Sequence, residues 1–327
     1  MPAFAVVGAT SWGVTLADLL AQGGAAVTLL VRTPEEAAAL DAARGLARMP
    51  GLVLTESVQV APLDAGTGAL DGAIFAVPAQ TLRAAAERVA LPRDIALLSA
   101  AKGIENGSRL RMSAVLADCG WPAARISALS GPNLAREIAA GLPAAAVVAS
   151  IGETESEAWQ RALSTPRFRV YRSPDLIGVE LGGALKNIVA IAAGAAAGLG
   201  FGANTVAALT TRGLAEITRL AVAEGADART LLGLAGVGDL MATCYSPLSR
   251  NHRFGERLAA GEGAAAAQAA VGGVVEGATT TPAALALAAD HGIELPVAEQ
   301  VAAVIGGERS VGEAMAALLA RDLRAEA

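Results

Sequence analysis

The chain is poor in cysteine, histidine and aromatic residues. Among 327 residues there are two cysteines, two histidines and only 3% aromatic residues. Cys119 and Cys244 lie far apart and form no CxxC pair, so neither a disulfide framework nor a zinc site is supported, and a reducing compartment is expected. His252 and His291 are too few for a metal cluster, and we expect neither a metal cofactor nor a histidine general base.

Basic clusters and membrane-type runs are also missing. The net charge is −6 and no block of basic residues occurs, which argues against nucleic acid and anionic membranes and favours a small-molecule substrate. Hydrophobic residues make up 54% of the chain, but many of them are alanine. The longest candidate span, residues 188–201, is shorter than the ~20 strongly apolar residues that a span needs, and it contains three glycines. We expect no membrane span and a cytoplasmic protein.

The order of apolar runs predicts the fold class. The chain is longer than the roughly 250–300 residues that one core usually organises, so two domains are expected. In the first half, short apolar runs alternate with helical stretches, which is typical of a Rossmann-type, doubly wound and mostly parallel sheet. These runs cover residues 4–7, 27–31, 73–77, 95–99, 126–130 and 145–149. After Tyr171 the pattern becomes all-helical, with Pro174 at the join. We predict a nucleotide-binding Rossmann domain over residues 1–175 and a helical substrate-binding domain over residues 176–327.

A glycine-rich turn follows the first predicted strand. Gly8 would permit a tight turn and Gly13 a close approach of helix and strand. A helix over residues 14–20 would then present its free N–H groups to a pyrophosphate. Thr10 stands where the GxGxxG pattern has its second glycine, and its side chain narrows the approach to phosphate. An ordinary strand-to-helix turn is the alternative interpretation.

The second predicted strand ends at an arginine, where proteins that prefer NAD usually place an acidic residue. Arg32 suits a 2′-phosphate on the adenosine ribose, so we predict that NADPH is preferred, with NADH as a possible second cofactor. The next residues predict a helix start, with Thr33 as N-cap, Pro34 at the first helical position and Glu36 closing a capping box. A solvated surface arginine is the alternative.

The segment ELGGALKN, residues 180–187, sets Lys186 and Asn187 at the mouth of an otherwise apolar helical stretch. Burying an ammonium without a partner costs several kcal/mol or lowers its pKa. Lys186 is therefore either paired structurally or tuned for proton transfer.

Three further segments carry polar groups that packing would not require: SAAKG at 99–103, SGPN at 130–133 and GVGDLMAT at 236–243. The first two follow predicted strands, so Lys102 and Asn133 should lie at the ligand-binding edge of the sheet. Asp239 and Thr243 are four residues apart and share one face of a predicted helix. Simple capping of that helix by Asp239 is the alternative.

A phosphate site is predicted at SRN, residues 249–251. Ser249 is a candidate N-cap, and it joins Arg250 and Asn251 at a helix start. Free N–H groups, a hydroxyl and a guanidinium would converge there on one anion. A solvated basic turn is the alternative.

Nine blocks of sequence occur in a characteristic order: residues 8–13, FAVP at 75–78, KG at 102–103, LSGP at 129–132, ELGGALKN at 180–187, TRGLAE at 211–216, GVGDL at 236–240, SRN at 249–251 and VVEG at 274–277. Over nearly the whole chain this series resembles the bacterial NAD(P)-dependent sn-glycerol-3-phosphate dehydrogenase family. The resemblance implies reversible reduction of dihydroxyacetone phosphate to sn-glycerol 3-phosphate, which feeds glycerophospholipid synthesis. The nicotinamide carries the hydride, so no metal is required.

The resemblance also implies roles for single residues. Lys186 matches the general acid/base, and Lys102 supplies positive potential at the reacting carbon. Asp239 and Thr243 match groups that position either Lys186 or the substrate hydroxyls, and both options stay open. The predicted substrate contacts are Lys102, Gly131, Asn133, Lys186, Asp239, Ser249, Arg250 and Asn251. The predicted cofactor contacts are Gly8, Ser11, Trp12, Gly13, Arg32, Lys102, Ala135, Arg250, Val274 and Glu276.

Two other classes of function remain as alternatives. A β-hydroxyacid or 6-phosphogluconate dehydrogenase-like enzyme would share the architecture and a lysine–asparagine pair, but the turn at 249–251 argues against it. A non-catalytic NADPH-sensing protein should have lost the groups that this chain keeps at Lys102, Lys186 and Asp239. Asn133 replaces the serine or threonine usual in the family, and its amide still donates and accepts. The apolar helical half makes a homodimer the expected assembly.

Overall fold

One sheet organises the first half of the molecule. This computed structural model describes residues 1–321, so residues 322–327, the end of the predicted second domain, lie outside the described residues. The strands are β1 (Ala3–Val7), β2 (Ala26–Val31), β3 (Val58–Pro62), β4 (Gly72–Phe75), β5 (Ala96–Ser99), β6 (Ile126–Ser130), β7 (Ala144–Ser150) and β8 (Phe168–Ser173). Their order across the sheet is β3-β2-β1-β4-β5-β6-β7-β8, and neighbours are parallel except β6 and β7. The predicted Rossmann-type, mostly parallel sheet is confirmed.

The two edge strands, β3 and β8, were not predicted from the sequence. An edge strand is paired on one side only, so it does not need the continuous apolar run of a central strand. In β8, buried Phe168 and Val170 alternate with exposed Arg169 and Tyr171. This alternation is short and interrupted by charged residues, so β8 contains no continuous apolar run from which a strand would be predicted.

The strand order places a crevice between β1 and β4. From β1 the chain continues to β2 and β3 on one side, and from β4 it continues to β5 and β6 on the other. Ligands of open α/β sheets bind at such a switch point, beyond the carboxyl ends of the strands. The segments after β1, β4, β5 and β6 all begin at that edge, since these four strands run parallel to one another.

Helices flank the sheet and make up the second half. They are α1 (Ser11–Gln22), α2 (Pro34–Ala43), α3 (Leu82–Arg88), α4 (Met112–Asp118), α5 (Ala135–Ala139), α6 (Glu153–Leu163), α7 (Leu176–Gly198), α8 (Ala203–Ala223), α9 (Ala228–Leu231), α10 (Asp239–Tyr245), α11 (Arg250–Ala259), α12 (Ala264–Val271), α13 (Glu276–Asp290), α14 (Pro296–Ile305) and α15 (Val311–Leu319). Two 3₁₀ turns, Ala79–Thr81 and Ala123–Arg125, and a π turn, Leu234–Gly238, complete the order. The all-helical second half is confirmed.

Helix α7 is the axis of the helical half. It packs against α8, α10, α11 and α13. Its length and composition would suffice to cross a membrane, but 89% of its most apolar window is buried inside the protein, as in a core helix. The start of α7 is fixed to the sheet half through the buried carboxylate of Glu180. That carboxylate accepts hydrogen bonds from Ser113 N at 2.7 Å and Ser113 Oγ at 2.6 Å, and it pairs with Arg111 Nη1 at 2.5 Å.

Close packing of α7 on α11 depends on two glycines. A Cβ at Gly194 would lie 1.9 Å from the carbonyl oxygen of His252, and one at Gly255 would lie 2.0 Å from the carbonyl oxygen of Ile191. Any side chain at either position would push the helix backbones apart. The alanine- and glycine-rich composition of this region therefore reflects helices in backbone contact.

The substitution Gly194→Ala tests this packing. We expect it to lower the free energy of unfolding by about 1–3 kcal/mol, because the added methyl overpacks a backbone contact. Urea unfolding monitored by circular dichroism measures the change. Gly312→Ala in α15 is the matched control, since a Cβ there meets no atom within 4 Å, and its stability should be unchanged or slightly higher. Equal stability of the two variants would contradict the proposed packing role of Gly194.

Candidate active site

The glycine-rich turn has the geometry of a phosphate cradle. Gly8 has φ +110°, a conformation that side chains rarely adopt. A Cβ at Gly13 would lie 2.0 Å from the carbonyl oxygen of Gly8. Thr10 takes the N-cap position of α1, where its Oγ1 accepts from Gly13 N at 3.0 Å and donates to the Ala76 carbonyl at 2.7 Å. Its hydroxyl thus ties the turn to the end of β4. Because of this cap, α1 begins at Ser11, three residues before the predicted start at 14.

Three predicted cofactor contacts surround this turn. Ser11 and Trp12 form the first residues of α1, and Ala135 begins α5, which packs against α1. The Trp12 ring packs edge-on against Phe168 of β8, with ring centroids 6.2 Å apart. The backbone N–H groups at this helix start are the donors that a pyrophosphate requires, so the residues present fit a dinucleotide.

Arg48 reaches the same turn, and the sequence analysis missed it. It lies in the segment between α2 and β3, where no motif marks it. Its Nε donates to Ser11 Oγ at 3.3 Å, and its Nη2 bonds to the Ala9 carbonyl oxygen. Arg136 of α5 in turn donates to the Arg48 carbonyl at 2.9 Å. These contacts, between residues distant in sequence, hold the Arg48 guanidinium at the turn. No local pattern in the sequence predicts them.

Arg32 lies at the end of β2, as predicted, with its side chain 82% exposed. The capping box predicted for α2 is only half present. Thr33 Oγ1 accepts from Glu36 N at 3.2 Å and Pro34 is the first helical residue, but Glu36 does not bond back to the N-cap. Its carboxylate accepts instead from the Arg32 backbone N and from Arg32 Nε, each at 3.2 Å. The arginine side chain competes for the carboxylate, so the reciprocal bond of a capping box is replaced by an ion pair.

The second group of predicted residues meets around one carboxylate. Asp239 Oδ2 lies 2.6 Å from Lys102 Nζ, and Asp239 Oδ1 lies 2.8 Å from Lys186 Nζ. Lys102 also donates to the Gly131 carbonyl at 3.0 Å, and Lys186 donates to Thr243 Oγ1 at 2.5 Å. Lys102 and Lys186 are the only lysines in the whole chain. Asp239 does not cap α10, whose N-cap is Gly238, and its carboxylate instead pairs with both ammonium groups.

The burial of this centre differs from one side chain to the next. The side chains of Lys186 and Asp239 are 7% and 2% exposed, and that of Lys102 is 16% exposed. Lys186 lies in the middle of α7, ten residues after its start, and not at the mouth of the helix as the sequence suggested. Desolvation, together with repulsion from Lys186, lowers the pKa of Lys102 to about 8 against the attraction of Asp239. Lys102 is thus a weaker base than an ordinary lysine.

The segment after β6 forms one wall of this centre. Gly131 has φ +129° and turns its carbonyl toward Lys102. The amide oxygen and nitrogen of Asn133 are both buried without a hydrogen-bond partner. Buried amides are normally satisfied, so Asn133 has a free donor and a free acceptor for a ligand.

The start of α11 uses most of its polar groups to hold the helices together. Ser249 is the N-cap, with Oγ accepting from His252 N at 3.2 Å. Asn251 is buried, donates to Asn187 Oδ1 at 2.9 Å and accepts from Gly277 N at 2.9 Å. Arg250 alone stays exposed. Of the three residues of the predicted phosphate turn, Arg250 is therefore the one that is exposed and could meet an anion.

Two predicted cofactor contacts lie at the start of α13. Val274 is partly buried, and Glu276 opens the helix. Glu276 Oε1 accepts from Ala79 N at 3.4 Å, whereas its Oε2 is buried with no hydrogen-bond partner. Desolvation raises the pKa of Glu276 to about 7, although attraction to Arg250 opposes the rise. Like the amide of Asn133, this oxygen is buried and has no hydrogen-bond partner.

The fold and the centre together define the class of the protein. A nucleotide-type turn lies at the edge of a doubly wound sheet, and an ammonium, carboxylate and ammonium cluster joins the segment after β5 to the helical region. This is the arrangement of a nicotinamide-nucleotide-dependent dehydrogenase. Within residues 1–321, no group of three or more His, Cys, Asp and Glu side chains is placed to hold a metal ion.

Comparisons with known proteins identify the family. The family model for the NAD-dependent glycerol-3-phosphate dehydrogenase N-terminus matches residues 3–156, and the model for the C-terminus matches residues 175–316. The glycerol-3-phosphate dehydrogenase [NAD(P)+] of Corynebacterium glutamicum is 49% identical over 282 residues, 84% of each chain. That of Nocardia farcinica is 52% identical over 283 residues, 83% of each chain. A crystal structure of glycerol-3-phosphate dehydrogenase from Coxiella burnetii superposes with a TM-score of 0.91 at 36% identity, covering 98% of this chain and 99% of that one.

The chain therefore belongs to the NAD-dependent glycerol-3-phosphate dehydrogenase family. The family resemblance stated from the sequence blocks is confirmed, and the hydroxyacid-dehydrogenase and sensor alternatives are not favoured.

Because the chain has just two lysines, its centre can be titrated directly. Lysine labelled selectively with ¹³C at Cε should give two NMR signals, and we expect the Lys102 signal to titrate near pH 8. Asp239→Asn removes the attraction that favours the charged form, so it should lower this pKa further. Lys186→Met removes the repulsion and should raise it. The signals are assigned from the one that each lysine variant loses, and a Lys102 pKa near 10.5 in the unaltered protein would contradict the expected dominance of desolvation over the attraction of Asp239.

Proposed function

We propose that this protein reversibly reduces dihydroxyacetone phosphate to sn-glycerol 3-phosphate, with NADPH preferred over NADH, in the cytoplasm and in supply of glycerophospholipid synthesis. The observation that carries the proposal is the shared carboxylate of Asp239 between the only two lysines of the chain. Reduction of a ketone builds negative charge on its oxygen, and fixed cations with a proton donor stabilise that charge. The centre offers both.

Lys186 acts as the general acid and base. Its contacts with Asp239 and Thr243 occupy two of its three N–H donors, so the third is left for the substrate oxygen. It donates a proton to the C2 alkoxide in the reductive direction and removes one from the hydroxyl in the oxidative direction. Thr243 Oγ1 donates to the Asp239 carbonyl at 2.6 Å, so the threonine is itself fixed. Asp239 and Thr243 thus position Lys186, which is the option that their contacts favour.

Lys102 supplies positive charge at the same oxygen. Its ammonium is held by Asp239 and by the Gly131 carbonyl, and it is the more exposed of the two lysines. The substrate phosphate binds further along the crevice to the guanidinium of Arg250, with the free amide of Asn133 on the opposite wall. Ser249 and Asn251 hold α11 so that Arg250 faces this position. Binding energy from the phosphate then helps to orient the ketone.

The nicotinamide cofactor, when bound, supplies the hydride to C2 and accepts it in reverse. The turn from Gly8 to Gly13 receives the pyrophosphate, with Arg48 beside it, and Arg32 faces the adenosine ribose. Glu276 offers its unpaired Oε2 to the cofactor from α13. The remaining residues proposed to touch the cofactor are Ser11, Trp12, Lys102, Ala135, Arg250 and Val274.

We also infer that the protein forms a homodimer. We further infer that the nucleotide-binding domain ends at residue 175 and the substrate-binding domain begins at residue 176, between β8 and α7. The buried apolar surfaces support the division, since those of the sheet half lie on the two faces of one sheet and the largest of the helical half surrounds α7. Size-exclusion chromatography with light scattering tests the dimer.

The decisive experiment is initial-rate oxidation of NADPH and of NADH in the presence of dihydroxyacetone phosphate. We expect turnover that favours NADPH. Lys186→Met should lower kcat by about a hundredfold or more, because general acid catalysis contributes on the order of 10²–10⁴. Calorimetric binding of NADPH by the variant shows that the fold survives. A folded, NADPH-binding protein without turnover would overturn the proposed reaction.

Arg48→Gln tests the proposed pyrophosphate contact. We expect it to weaken NADPH and NADH alike, by about tenfold, because both cofactors share the pyrophosphate and a charge-assisted hydrogen bond contributes about 1.5–3 kcal/mol. Calorimetric dissociation constants for the two cofactors measure the effect. Arg161→Gln, an exposed arginine of α6, is the control for loss of one positive charge. Unchanged dissociation constants, or a loss confined to NADPH, would refute the pyrophosphate contact.

A further inference from the structure

The end of β2 carries two opposite charges in contact. Arg32 Nε and its backbone N–H both bond to Glu36 Oε2 at 3.2 Å. The Arg32 side chain is 82% exposed and that of Glu36 is 32% exposed, so a ligand at the strand tip can reach either group. Glu36 Oε1 has no hydrogen-bond donor among the described residues.

A second arginine lies beside this pair. Arg88, the last residue of α3, donates from Nη2 to the Arg32 carbonyl at 3.3 Å. The Arg88 guanidinium therefore contacts the backbone of the residue that pairs with Glu36. A phosphate dianion placed there gains from both arginines and is repelled by Glu36.

NADPH and NADH differ only at the 2′ position of the adenosine ribose. NADPH carries a 2′-phosphate on the adenosine ribose, for which a guanidinium is the fitting partner. NADH carries a 2′-hydroxyl, for which an acidic side chain at the end of the second strand is the usual acceptor. Here the strand ends in arginine, and the carboxylate comes from the first turn of α2, four residues later.

We propose that Glu36 opposes Arg32 in the selection of the cofactor. Its carboxylate accepts a hydrogen bond from the ribose 2′-hydroxyl of NADH and lowers the affinity for NADPH. This inference rests on the proposed nicotinamide-dependent function. The end of β2 then offers Arg32 to the 2′-phosphate of NADPH and Glu36 to the 2′-hydroxyl of NADH. The Arg32–Glu36 ion pair separates in a different way for each cofactor.

Glu36→Gln tests the proposal by calorimetric titration with NADP⁺ and with NAD⁺, which requires no turnover. We expect the affinity for NADP⁺ to rise and that for NAD⁺ to fall, by roughly twofold to fivefold each, the range expected for exposed charge pairs. The gain for NADP⁺ should shrink at high salt, since exposed charges are screened. Arg32→Gln should weaken NADP⁺ and leave NAD⁺ nearly unchanged.

Glu35→Gln is the matched control. Glu35 is exposed, lies in the same first turn of α2 and carries the same charge, but makes no ion pair with Arg32. If Glu35→Gln changes the NADP⁺-to-NAD⁺ ratio as much as Glu36→Gln does, the effect is one of general charge and the proposal fails. It also fails if Glu36→Gln moves neither affinity. Binding of both cofactors without reduction of dihydroxyacetone phosphate would overturn the proposed function and leave this inference standing.

Discussion

The structure depends on a single carboxylate held between two ammonium groups. The side chain of Asp239 is 2% exposed. One of its oxygens binds the nitrogen of Lys102, in the segment after β5, and the other binds the nitrogen of Lys186, in the middle of α7. Two like charges so close together in a buried setting would repel strongly without it. Loss of one member of such a cluster leaves an uncompensated charge, which is why the three side chains act as a unit. This unit joins the sheet half, through Lys102, to the helical half, through Asp239 and Lys186.

Backbone contact makes that unit possible. A Cβ at Gly183, one turn before Lys186, would lie 2.4 Å from Ser130 Oγ and 3.6 Å from Lys102 Cδ. The absence of a side chain there lets the end of β6 and the lysine after β5 approach α7. Gly194 further along the helix does the same for α11, whose first turn carries Arg250. The small residues of α7 thus fix the distance between the sheet edge, the proposed proton donor Lys186 and the proposed phosphate contact Arg250.

The features that could be predicted from the sequence are those that depend on local or periodic patterns. The central strands, the glycine-rich turn and the helix start at Thr33 and Pro34 follow from short patterns whose physics is contained within a few residues. The candidate site residues that follow strands were placed at the sheet edge by topology alone. The features that were not predicted depend on pairing at a sheet edge, on a contact distant in sequence, or on competition between neighbouring side chains. The edge strands lack a continuous apolar run, Arg48 reaches the turn across 39 residues, and the preference of Glu36 for Arg32 over the N-cap depends on side-chain competition.

The chain's use of lysine and arginine agrees with the chemistry proposed for this centre. The chain has 25 lysines and arginines, yet lysine occurs at only two positions, and both bind Asp239. Arginine keeps its proton at any physiological pH and suits ion pairs and phosphate, whereas the pKa of a buried lysine shifts readily. Everywhere that a fixed charge suffices, as at Arg111, Arg48 or Arg250, the chain uses arginine. At the centre itself the chain uses lysine, which suits the proton transfer proposed for Lys186 and the tunable charge proposed for Lys102. The two positions of lysine in the sequence thus coincide with the proposed reacting centre.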